Sequence, residues 1–464
     1  MTLARLRVLF IPDSVHWVTG TIAKNIARFN PWIEATVASG PVIDQVFKER
    51  PELMNNFDLV HFTCPYASKQ WVPRFHDLVP CVTSHHHVTD WPLLSHNLDG
   101  DAIVVGSPEW SEDLRSRGAD MAKVFCVPYG VDANLFVPAT EAKRHALREK
   151  LSLAKEATVI GFFGKNSSND DDRKGIDVFS KAILELKQKL SNLTVLIVGP
   201  GWQALKNSLT TAGVNCVWIP FVQELTDLST MYQVLDFYWV TARVEGGPVT
   251  LLEAMSTGVC CLTTPVGLAR KIVTDGENGL VLPFNDAQAF VDRTLELAQD
   301  NALRTRLGRQ ARSTILEEMH VGVTSLGVKE VYERALENFA SRRQTSVPVD
   351  VSAIAKSFAT ARGPQSSGDD VVPLAGFPSS LHSRVSMLET LAWSEHLVLY
   401  HRQRALAARM ILREWFRNPF SLLPLRVLLR RFLPVSFVAR LVRIKNRAQV
   451  SPRLVTTHPP TNKA

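Results

Sequence analysis

The stretch VTARVEGGPVTLLEAMSTGVCCLTTPVG, residues 240–267, joins the end of one apolar run to the next through a Gly-Gly-Pro turn and a helical segment. Gly246 and Gly247 allow the backbone to approach a ligand closely, and the N–H groups behind them point outward from the positive end of the helix. The proline that follows suits the first helical turn, where a missing N–H costs nothing. Glu245 stands before this helix and Glu253 about two turns along it, so both carboxylates can contact one extended ligand.

Short apolar runs rich in valine and isoleucine recur on both sides of this stretch, mostly separated by segments long enough for a helix. The first six are Val8–Ile11, Ala35–Ser39, Leu59–Cys64, Cys81–Ser84, Ala102–Ser107 and Val124–Pro128. The second six are Thr158–Gly164, Leu193–Gly199, Cys216–Phe221, Phe237–Thr241, Val259–Thr264 and Gly279–Pro283. Continuous rather than alternating runs favour parallel strands with helices on both faces. The sequence therefore predicts two doubly wound, Rossmann-like α/β domains, with ligands in the cleft at the carboxyl ends of the strands.

Composition divides the chain further. We predict a first Rossmann-like domain, a second Rossmann-like domain, a flexible linker rich in Ser, Pro, Gly and Ala, a basic amphipathic helical extension and a disordered tail. These five parts span residues 1–150, 151–340, 341–382, 383–447 and 448–464.

The formal charge of +7 on the 464 residues is unevenly distributed. Residues 401–464 hold 14 Lys/Arg and a single acid, Glu414, which leaves 38 basic and 44 acidic residues in 1–400. The apolar fraction of 45% and the charged fraction of 21% exclude a disordered or collagen-like chain. No run reaches the ~18–20 apolar residues that span a bilayer, and the N-terminal run is too short for a signal peptide. The six cysteines include no C-x-x-C pair, which favours buried thiols in a reducing cytosol.

The E-x7-E spacing of Glu245 and Glu253, followed by an A-M-x-x-G helix and an apolar strand, resembles the donor site of retaining GT-B glycosyltransferases of the family 4 type. Three further segments agree with this resemblance. VPYGVDANLF at 127–136 is similar to the interdomain P-x-G-V-D segment, and LTVLIVGPG at 193–201 to the L-x-I-x-G-x-G strand and turn. IVTDGENGLVLPFND at 272–286 resembles the E-I-V-x-D-G-x-x-G-x-L-V segment. Lys271, the residue before this stretch, stands where the family commonly has the first glutamate.

The resemblance implies that residues 1–150 form the acceptor domain and residues 151–340 the nucleotide-sugar donor domain, and it implies how a nucleotide sugar is held. Glu253 is expected to accept hydrogen bonds from the two ribose hydroxyls, and Glu245 from a hydroxyl of the donor sugar. Gly246 and Gly247 are expected to offer backbone N–H groups to the sugar or the phosphates. The alternative is that both glutamates are solvated residues at the ends of a helix.

Cations are expected at the diphosphate, because cleavage of the anomeric bond leaves charge on the β-phosphate. In GFFGKNSSNDDDRKGID, residues 161–177, Lys165 stands at the family's arginine position and Lys174 at its lysine position, and Arg173 could replace either. Lysine keeps the charge of arginine but loses its bidentate fork. The alternative is a polar loop with surface lysines. Asp170–Asp172 satisfy a D-x-D metal-binding pattern, but we interpret this hydrophilic insertion as a solvated loop and expect no metal.

Two segments of the first domain complete the expected site. Ser84–His85 matches the position of a family histidine that contacts the donor sugar, and a structural role is the alternative for His85. Three consecutive imidazoles cannot face one way on a strand, so zinc is disfavoured at His85–His87. Gly20 is the one glycine of the loop at 14–21, where relatives commonly have a pair, and we assign it to donor binding. His16 and Trp17 of that loop could meet an acceptor or simply pack.

Together these features predict a metal-independent retaining glycosyltransferase that moves a sugar from a nucleotide-diphosphate sugar to a hydroxyl acceptor. No carboxylate nucleophile is evident, so we expect front-face attack, with the leaving diphosphate helping to deprotonate the acceptor. No cofactor is expected beyond the nucleotide sugar as co-substrate. The alternatives are a sugar-nucleotide epimerase or phosphorylase of the same fold and a catalytically inactive scaffold.

The basic extension predicts a membrane contact. Arg409, Arg413 and Arg417 share one helical face, while apolar side chains such as Leu412 and Trp415 lie on another, as in helices that rest in the headgroup region. We therefore expect residues 401–447 to hold a cytoplasmic enzyme against an anionic membrane surface. If the enzyme docks on such a membrane, we expect its acceptor to be lipid-linked or a growing envelope glycan. A nucleic acid partner is not expected, because the apolar content is high; a helical hairpin packed on the enzyme or a protein-binding segment are the alternatives.

Overall fold

The computed structural model describes residues 5–86, 90–166, 173–222, 224–347, 349–358, 372–401, 404–417 and 423. Two compact units divide the chain, Met1–Glu389 and Thr390–Ala464. Both sheets lie in the first unit. No helix in the described ranges is both long and apolar enough to cross a bilayer.

Twelve described strands form two six-stranded sheets in which every pairing is parallel. They are β1 (Leu6–Phe10), β2 (Ile33–Val37), β3 (Leu59–Phe62), β4 (Cys81–His85), β5 (Ala102–Val105), β6 (Val124–Cys126), β7 (Thr158–Phe163), β8 (Leu193–Val198), β9 (Asn215–Ile219), β10 (Phe237–Val240), β11 (Cys260–Thr263) and β12 (Leu280–Val281). The sheet orders are β2-β1-β3-β4-β5-β6 and β12-β11-β10-β7-β8-β9. The prediction of two doubly wound domains is confirmed.

The helices flank these sheets and continue beyond them. They are α1 (Val18–Phe29), α2 (Gly40–Glu49), α3 (Ser68–Phe75), α4 (Trp91–Leu94), α5 (Pro108–Ser116), α6 (Glu141–Lys150), α7 (Ile176–Lys189), α8 (Gln203–Thr211), α9 (Leu225–Gln233), α10 (Val249–Ser256), α11 (Ala269–Ile272), α12 (Ala287–Gln299), α13 (Asn301–Thr314), α14 (Val321–Thr324), α15 (Val328–Arg343), α16 (Val351–Phe358), α17 (Ser379–His401) and α18 (Arg404–Arg417). Short 3-10 helices span Pro51–Asn56, Ser95–Asp99, Met121–Lys123 and Ser325–Gly327, and a π-helical turn spans Ile315–Met319.

Strand β8 shows why the apolar runs are continuous. All six of its residues are buried. Leu196 and Val198 pack into an apolar cluster on one side of the sheet, and Val195 and Ile197 into the cluster on the other. Because helices cover both faces, successive positions of the strand are apolar, apart from Thr194, whose hydroxyl accepts a hydrogen bond from Asn215 Nδ2 (3.0 Å).

Two helices near the domain junctions pack on a domain other than the one suggested by their position in the chain. Helix α15 comes after the second sheet, yet its Tyr332 and Leu336 pack into the core of the first. Helix α6 comes before the second sheet and is tied to it by an ion pair of 2.8 Å between Arg148 Nη2 and Asp236 Oδ2. The two domains are therefore joined by segments that cross in both directions.

Part of the segment expected to be a flexible linker is held against the first sheet. Residues 372–377 run antiparallel to β2, where Val37 N–H donates to Pro373 O (2.8 Å) and Ala375 N–H to Ala35 O (3.2 Å). An edge strand presents unpaired N–H and C=O groups, and these residues cover them. This segment and α16 are therefore not a free linker, because backbone pairing to an edge needs no periodic side-chain pattern.

Within the predicted basic extension, residues 404–417 form α18, and the buried face of this helix differs from the expected one. Ala407 and Ile411 are buried, whereas Leu412 is 37% exposed beside the exposed Arg409 and Arg413. Except for Leu423, residues 418–447 lie outside the described residues, and so does the expected disordered tail at 448–464.

Candidate active site

The Gly-Gly-Pro turn before α10 contacts the first domain. A Cβ on Gly246 would lie 2.0 Å from His86 O, so only glycine permits this approach of the two backbones. The indole N–H of Trp110 donates to Glu245 O (3.1 Å), and Gly267 N–H donates to Glu109 Oε2 (2.8 Å). These contacts place the turn where the carboxyl ends of both sheets face each other.

Three side chains expected at the donor sugar and diphosphate meet at this turn. Lys174 Nζ and Arg173 Nη1 each lie 3.1 Å from Glu245 Oε1. All three side chains are mostly buried: the exposed fraction is 15% for Lys174, 16% for Arg173 and 17% for Glu245. The backbone fixes the two cations, because Arg243 N–H donates to Arg173 O at 2.8 Å. The hydroxyl of Thr241 donates to Lys174 O at 2.9 Å.

Lys165 follows β7 of the second domain and approaches the first domain. Its Nζ is 5.9 Å from the centroid of the Trp17 indole, which belongs to the loop between β1 and α1. Gly20 lies in the first turn of α1, where a Cβ would lie 2.4 Å from Ser14 O. Gly20 therefore lets this loop fold tightly over the helix. Asp170–Asp172 and His87 lie outside the described residues.

Glu253 is buried, and the structure thus excludes a solvated position for it. The Tyr232 hydroxyl donates to Glu253 Oε2 at 2.5 Å. Burial raises the pKa of Glu253 to about 7, and the hydrogen bond from Tyr232 acts in the opposite direction. Glu253 is therefore a carboxyl group that changes charge near neutral pH.

A cavity of about 710 Å³ runs between the domains beside Glu253. Val249, Glu253 and Glu224 line its wall in the second domain. Lys24 and Arg28 of α1 line the opposite wall. Such a volume accommodates a small organic ligand with polar groups on both sides.

The two described histidines after β4 have different surroundings. His85 is buried between the rings of Trp91 and Trp110, and Asn97 Nδ2 donates to its Nδ1 at 3.3 Å. Burial, with a smaller contribution from His86, lowers the pKa of His85 to about 4, and burial lowers that of His86 to about 4. Both imidazoles are therefore neutral at pH 7.

The backbone contact between the end of β4 and the turn of the second domain is made by the carbonyl group of His86, which lies against Gly246, and not by His85. The Nε2 of His86 donates to Thr63 O at 2.9 Å, and its ring lies edge-on to Tyr129 with the centroids 4.8 Å apart. Among the described residues, His85 Nε2 and His86 Nδ1 are buried polar atoms without a hydrogen-bond partner. Each of these atoms could therefore make one further hydrogen bond, although neither is exposed to solvent.

Sequence reasoning missed two residues of this region. Tyr232 lies 21 residues before its partner Glu253, in a helix without any recognisable motif. Trp110 lies 135 residues before Glu245, in the other domain. No local pattern marks such partners, because they are selected by the packing of elements that are distant in sequence.

The chain is similar in sequence to known proteins. Residues 143–314 match the family model of the glycosyl transferases group 1. The D-inositol 3-phosphate glycosyltransferase of Xylanimonas cellulosilytica is 31% identical over 222 residues, 46% of this chain and 52% of that protein. The lipopolysaccharide core biosynthesis mannosyltransferase LpsB of Rhizobium meliloti is 29% identical over 207 residues, 41% and 56% of the two chains. The chain thus spans about half the length of these relatives.

Solved structures extend the likeness to both domains. HepE of Anabaena, solved in complex with UDP and glucose, superposes with a TM-score of 0.59 at 16% identity, over 71% of this chain and 100% of that one. Sucrose-phosphate synthase of Thermosynechococcus elongatus gives a TM-score of 0.57 at 17% identity, over 73% and 100%. The chain therefore has the GT-B fold of two Rossmann-like domains, and its second domain matches the glycosyl transferases group 1.

Proposed function

We propose that the protein transfers a sugar from a nucleotide-diphosphate sugar to a hydroxyl acceptor, with retention at the anomeric carbon and without a metal ion. The observation that carries this proposal is the meeting of Glu245, Arg173 and Lys174 at the turn before α10, with Glu253 further along the same helix beside a cavity between the domains. The match to the glycosyl transferases group 1 and the likeness to HepE, a protein solved with UDP-glucose, support it.

The nucleotide occupies the cavity beside Glu253. The Glu253 carboxylate accepts hydrogen bonds from the ribose hydroxyls, and Tyr232 holds it in place. Gly246 and Gly247 present backbone N–H groups at the start of α10, where the helix dipole favours an anion. The diphosphate therefore lies next to Lys174 and Arg173.

The two cations exchange partners when the donor binds. In the structure they neutralise Glu245, and a diphosphate brings a larger negative charge to the same place. Glu245 is then released to accept a hydrogen bond from a hydroxyl of the donor sugar. A metal is unnecessary in this arrangement, because the lysine and arginine charges do the work that a divalent ion does elsewhere.

Transfer follows by attack from the face that the diphosphate leaves. The anomeric C–O bond breaks and its electron pair goes to the β-phosphate oxygen, which Lys174, Arg173 and Lys165 stabilise. The acceptor oxygen forms the new bond on the same face, and its proton passes to the departing phosphate oxygen. Neutral His85 and His86 border the sugar through hydrogen bonds without adding charge.

We further propose that the basic extension holds the enzyme at the cytoplasmic face of an anionic membrane, where the acceptor is lipid-linked or part of an envelope glycan. Arg409, Leu412 and Arg413 form an exposed face of α18, with two cations beside an apolar side chain. Each basic residue near an anionic surface contributes ~1 kcal/mol. Arg409→Gln/Arg413→Gln should reduce co-sedimentation with anionic liposomes, and Arg115→Gln/Arg293→Gln should not. Liposome binding that is changed neither by Arg409→Gln/Arg413→Gln nor by added salt would contradict this proposal.

The central test measures donor binding and the product. Glu253→Ala should weaken donor binding roughly ten- to a hundredfold, because a charged hydrogen bond worth ~1.5–3 kcal/mol is lost. NMR of the product should show the anomeric configuration of the donor, and activity should persist in EDTA. Unchanged donor affinity in Glu253→Ala, or an inverted product, would refute the assignment. Epimerised donor in the absence of acceptor would indicate different chemistry on the same fold.

A further inference from the structure

The cavity beside Glu253 has one wall that neither sheet supplies. Residues 373–375 line the cavity next to β2. They belong to a segment, residues 372–389, that we call the clasp, which follows both sheets in the chain and includes the start of α17. Other lining residues come from the two domains, among them Ile33 of β2 and Lys24 of α1. Because one cavity of about 710 Å³ is lined by all three parts, a movement of the clasp changes the shape of the cavity that Glu253 lines.

Backbone atoms attach the clasp to the edge of the first sheet. Besides the two backbone hydrogen bonds to β2 described above, Gly376 N–H donates to Thr36 Oγ1 at 2.6 Å. Asn56 Nδ2 donates to Gly376 O at 3.0 Å. A Cβ on Gly376 would lie 2.4 Å from Phe57 Cε1, so only glycine permits this close approach. These contacts fix the neighbouring residues 373–375 in the cavity wall.

Two buried side chains anchor the part of the clasp that follows. Phe377 is 3% exposed, and its ring centroid lies 6.3 Å from that of Phe47 and 6.1 Å from that of Phe57. Glu389 is also buried and accepts hydrogen bonds from Ser39 N–H at 2.6 Å and from Ser39 Oγ at 2.7 Å. Ser39 lies between β2 and α2, so Glu389 ties the end of the clasp to the same strand. A buried carboxyl group without such partners would be costly, and this makes the contact specific.

We propose that the clasp positions the wall of the nucleotide cavity, so that nucleotide binding and attachment of the clasp to β2 favour each other. This inference rests on the proposed function, which places the nucleotide in the cavity beside Glu253. A segment attached mainly by edge hydrogen bonds can detach at a lower free energy than global unfolding. Its detachment would open the cavity to water and leave the ligand less enclosed. By thermodynamic linkage, a nucleotide that prefers the attached form stabilises that form by the same factor.

The alternative is a purely structural clasp. An edge strand needs a cover, and residues 372–377 supply one whether or not a nucleotide is bound. In that case loosening the clasp lowers the stability of the fold and leaves nucleotide affinity unchanged. Nucleotide affinity, measured beside Tm, therefore separates the two roles.

The first test measures the Kd of the full-length chain for whichever of UDP, GDP and ADP raises its Tm most. Ala375→Pro removes the N–H that donates to Ala35 O, and Glu389→Ala removes the buried carboxyl group. Each should raise the Kd about five- to tenfold. Glu389→Gln should keep a nearly native Kd, because an amide can accept from Ser39 N–H and donate to Ser39 Oγ. Val347→Ala is the matched control, at an exposed apolar residue between α15 and α16, and should leave the Kd unchanged.

The second test uses the native full-length chain and needs no substitution. Amide hydrogen exchange of β2 and of residues 372–377 is compared with and without the same nucleotide at saturation. Exchange of the Val37 and Ala375 amides should slow about five- to tenfold, because their hydrogen bonds join the clasp to β2 and break when it detaches. Strand β6, at the other edge of the same sheet, is the internal control and should show no such change.

Three results would overturn the inference. The first is a lower Tm with an unchanged Kd in both Ala375→Pro and Glu389→Ala, which would leave the clasp as a cover for the sheet edge. The second is exchange in the clasp that the nucleotide does not slow, or slows equally in β6, and this result decides even where a variant fails to fold. The third is a native chain that binds none of UDP, GDP and ADP or their sugars, which would overturn the proposed function and this inference with it.

Discussion

Replacing Tyr232 by phenylalanine removes one oxygen atom from the buried pair that it forms with Glu253. In the native protein the Tyr232 hydroxyl donates to Glu253 Oε2 at 2.5 Å, and burial raises the pKa of that carboxyl to about 7. The hydrogen bond from Tyr232 favours the ionised form, so its loss raises this pKa further. If ribose binding needs the carboxylate, donor affinity in Tyr232→Phe must recover only at higher pH.

The magnitude follows from the strength of a hydrogen bond to a charged group, about 1.5–3 kcal/mol. Such a loss raises the pKa of Glu253 by about one to two pH units. Near pH 7.5 the native carboxyl is about three-quarters ionised, whereas the carboxyl of the variant would be ionised by about a quarter or less. Donor affinity should therefore fall roughly three- to twentyfold near pH 7.5.

Isothermal titration of the donor between about pH 6 and about pH 9.5 measures this effect. Tyr238→Phe is the matched control: Tyr238 is equally buried, with its ring centroid 5.7 Å from that of Tyr232, but its hydroxyl donates to Phe163 O at 3.4 Å. The control should keep the native pH midpoint. The reasoning would be refuted by a Tyr232→Phe profile that superimposes on the native one, or by an equal displacement in both variants.

Three further predictions concern charges that the fold holds in place. Glu389→Gln should flatten the fall in Tm between about pH 4.5 and about pH 7, where the carboxyl is ionised in the unfolded chain but still protonated in the folded one. Glu389 accepts hydrogen bonds from Ser39 N–H and Oγ, burial raises its pKa to about 7, and its ionisation on raising the pH costs up to about 3 kcal/mol of stability. Asp236→Asn should lower the free energy of unfolding, measured in urea, by about 3–5 kcal/mol, because the buried Arg148 loses its partner; a change below about 1 kcal/mol would contradict this. Glu245→Gln should bind free nucleoside diphosphate several-fold more tightly, since its two cations lose their internal partner, while transfer slows; weaker diphosphate binding would count against the proposed exchange of partners.

The sheets and the Gly-Gly-Pro turn before α10 were predictable because their signals are local. Each buried strand needs a run of apolar residues, and the structure contains a strand at all twelve of the runs identified in the sequence. The turn at Gly246 was also predictable, since a helix after a strand with glycines between them is a short-range pattern. The roles of Glu245, Lys165 and Lys174 came from the resemblance of their motifs to those of a known family, and they remain proposals.

The tertiary structure alone decided which groups meet. It buried Glu253 against Tyr232, and it brought the backbone of His86 against Gly246. It also paired Arg173 with Glu245, 72 positions away, although the sequence left open whether Arg173 replaces a lysine. Residues 372–377 are bound to β2 through backbone atoms that carry no side-chain signature. The sequence determines strands and turns because these depend on neighbouring residues. Contacts between residues far apart in the chain depend instead on how distant elements cross, and the packing of the two domains decides this.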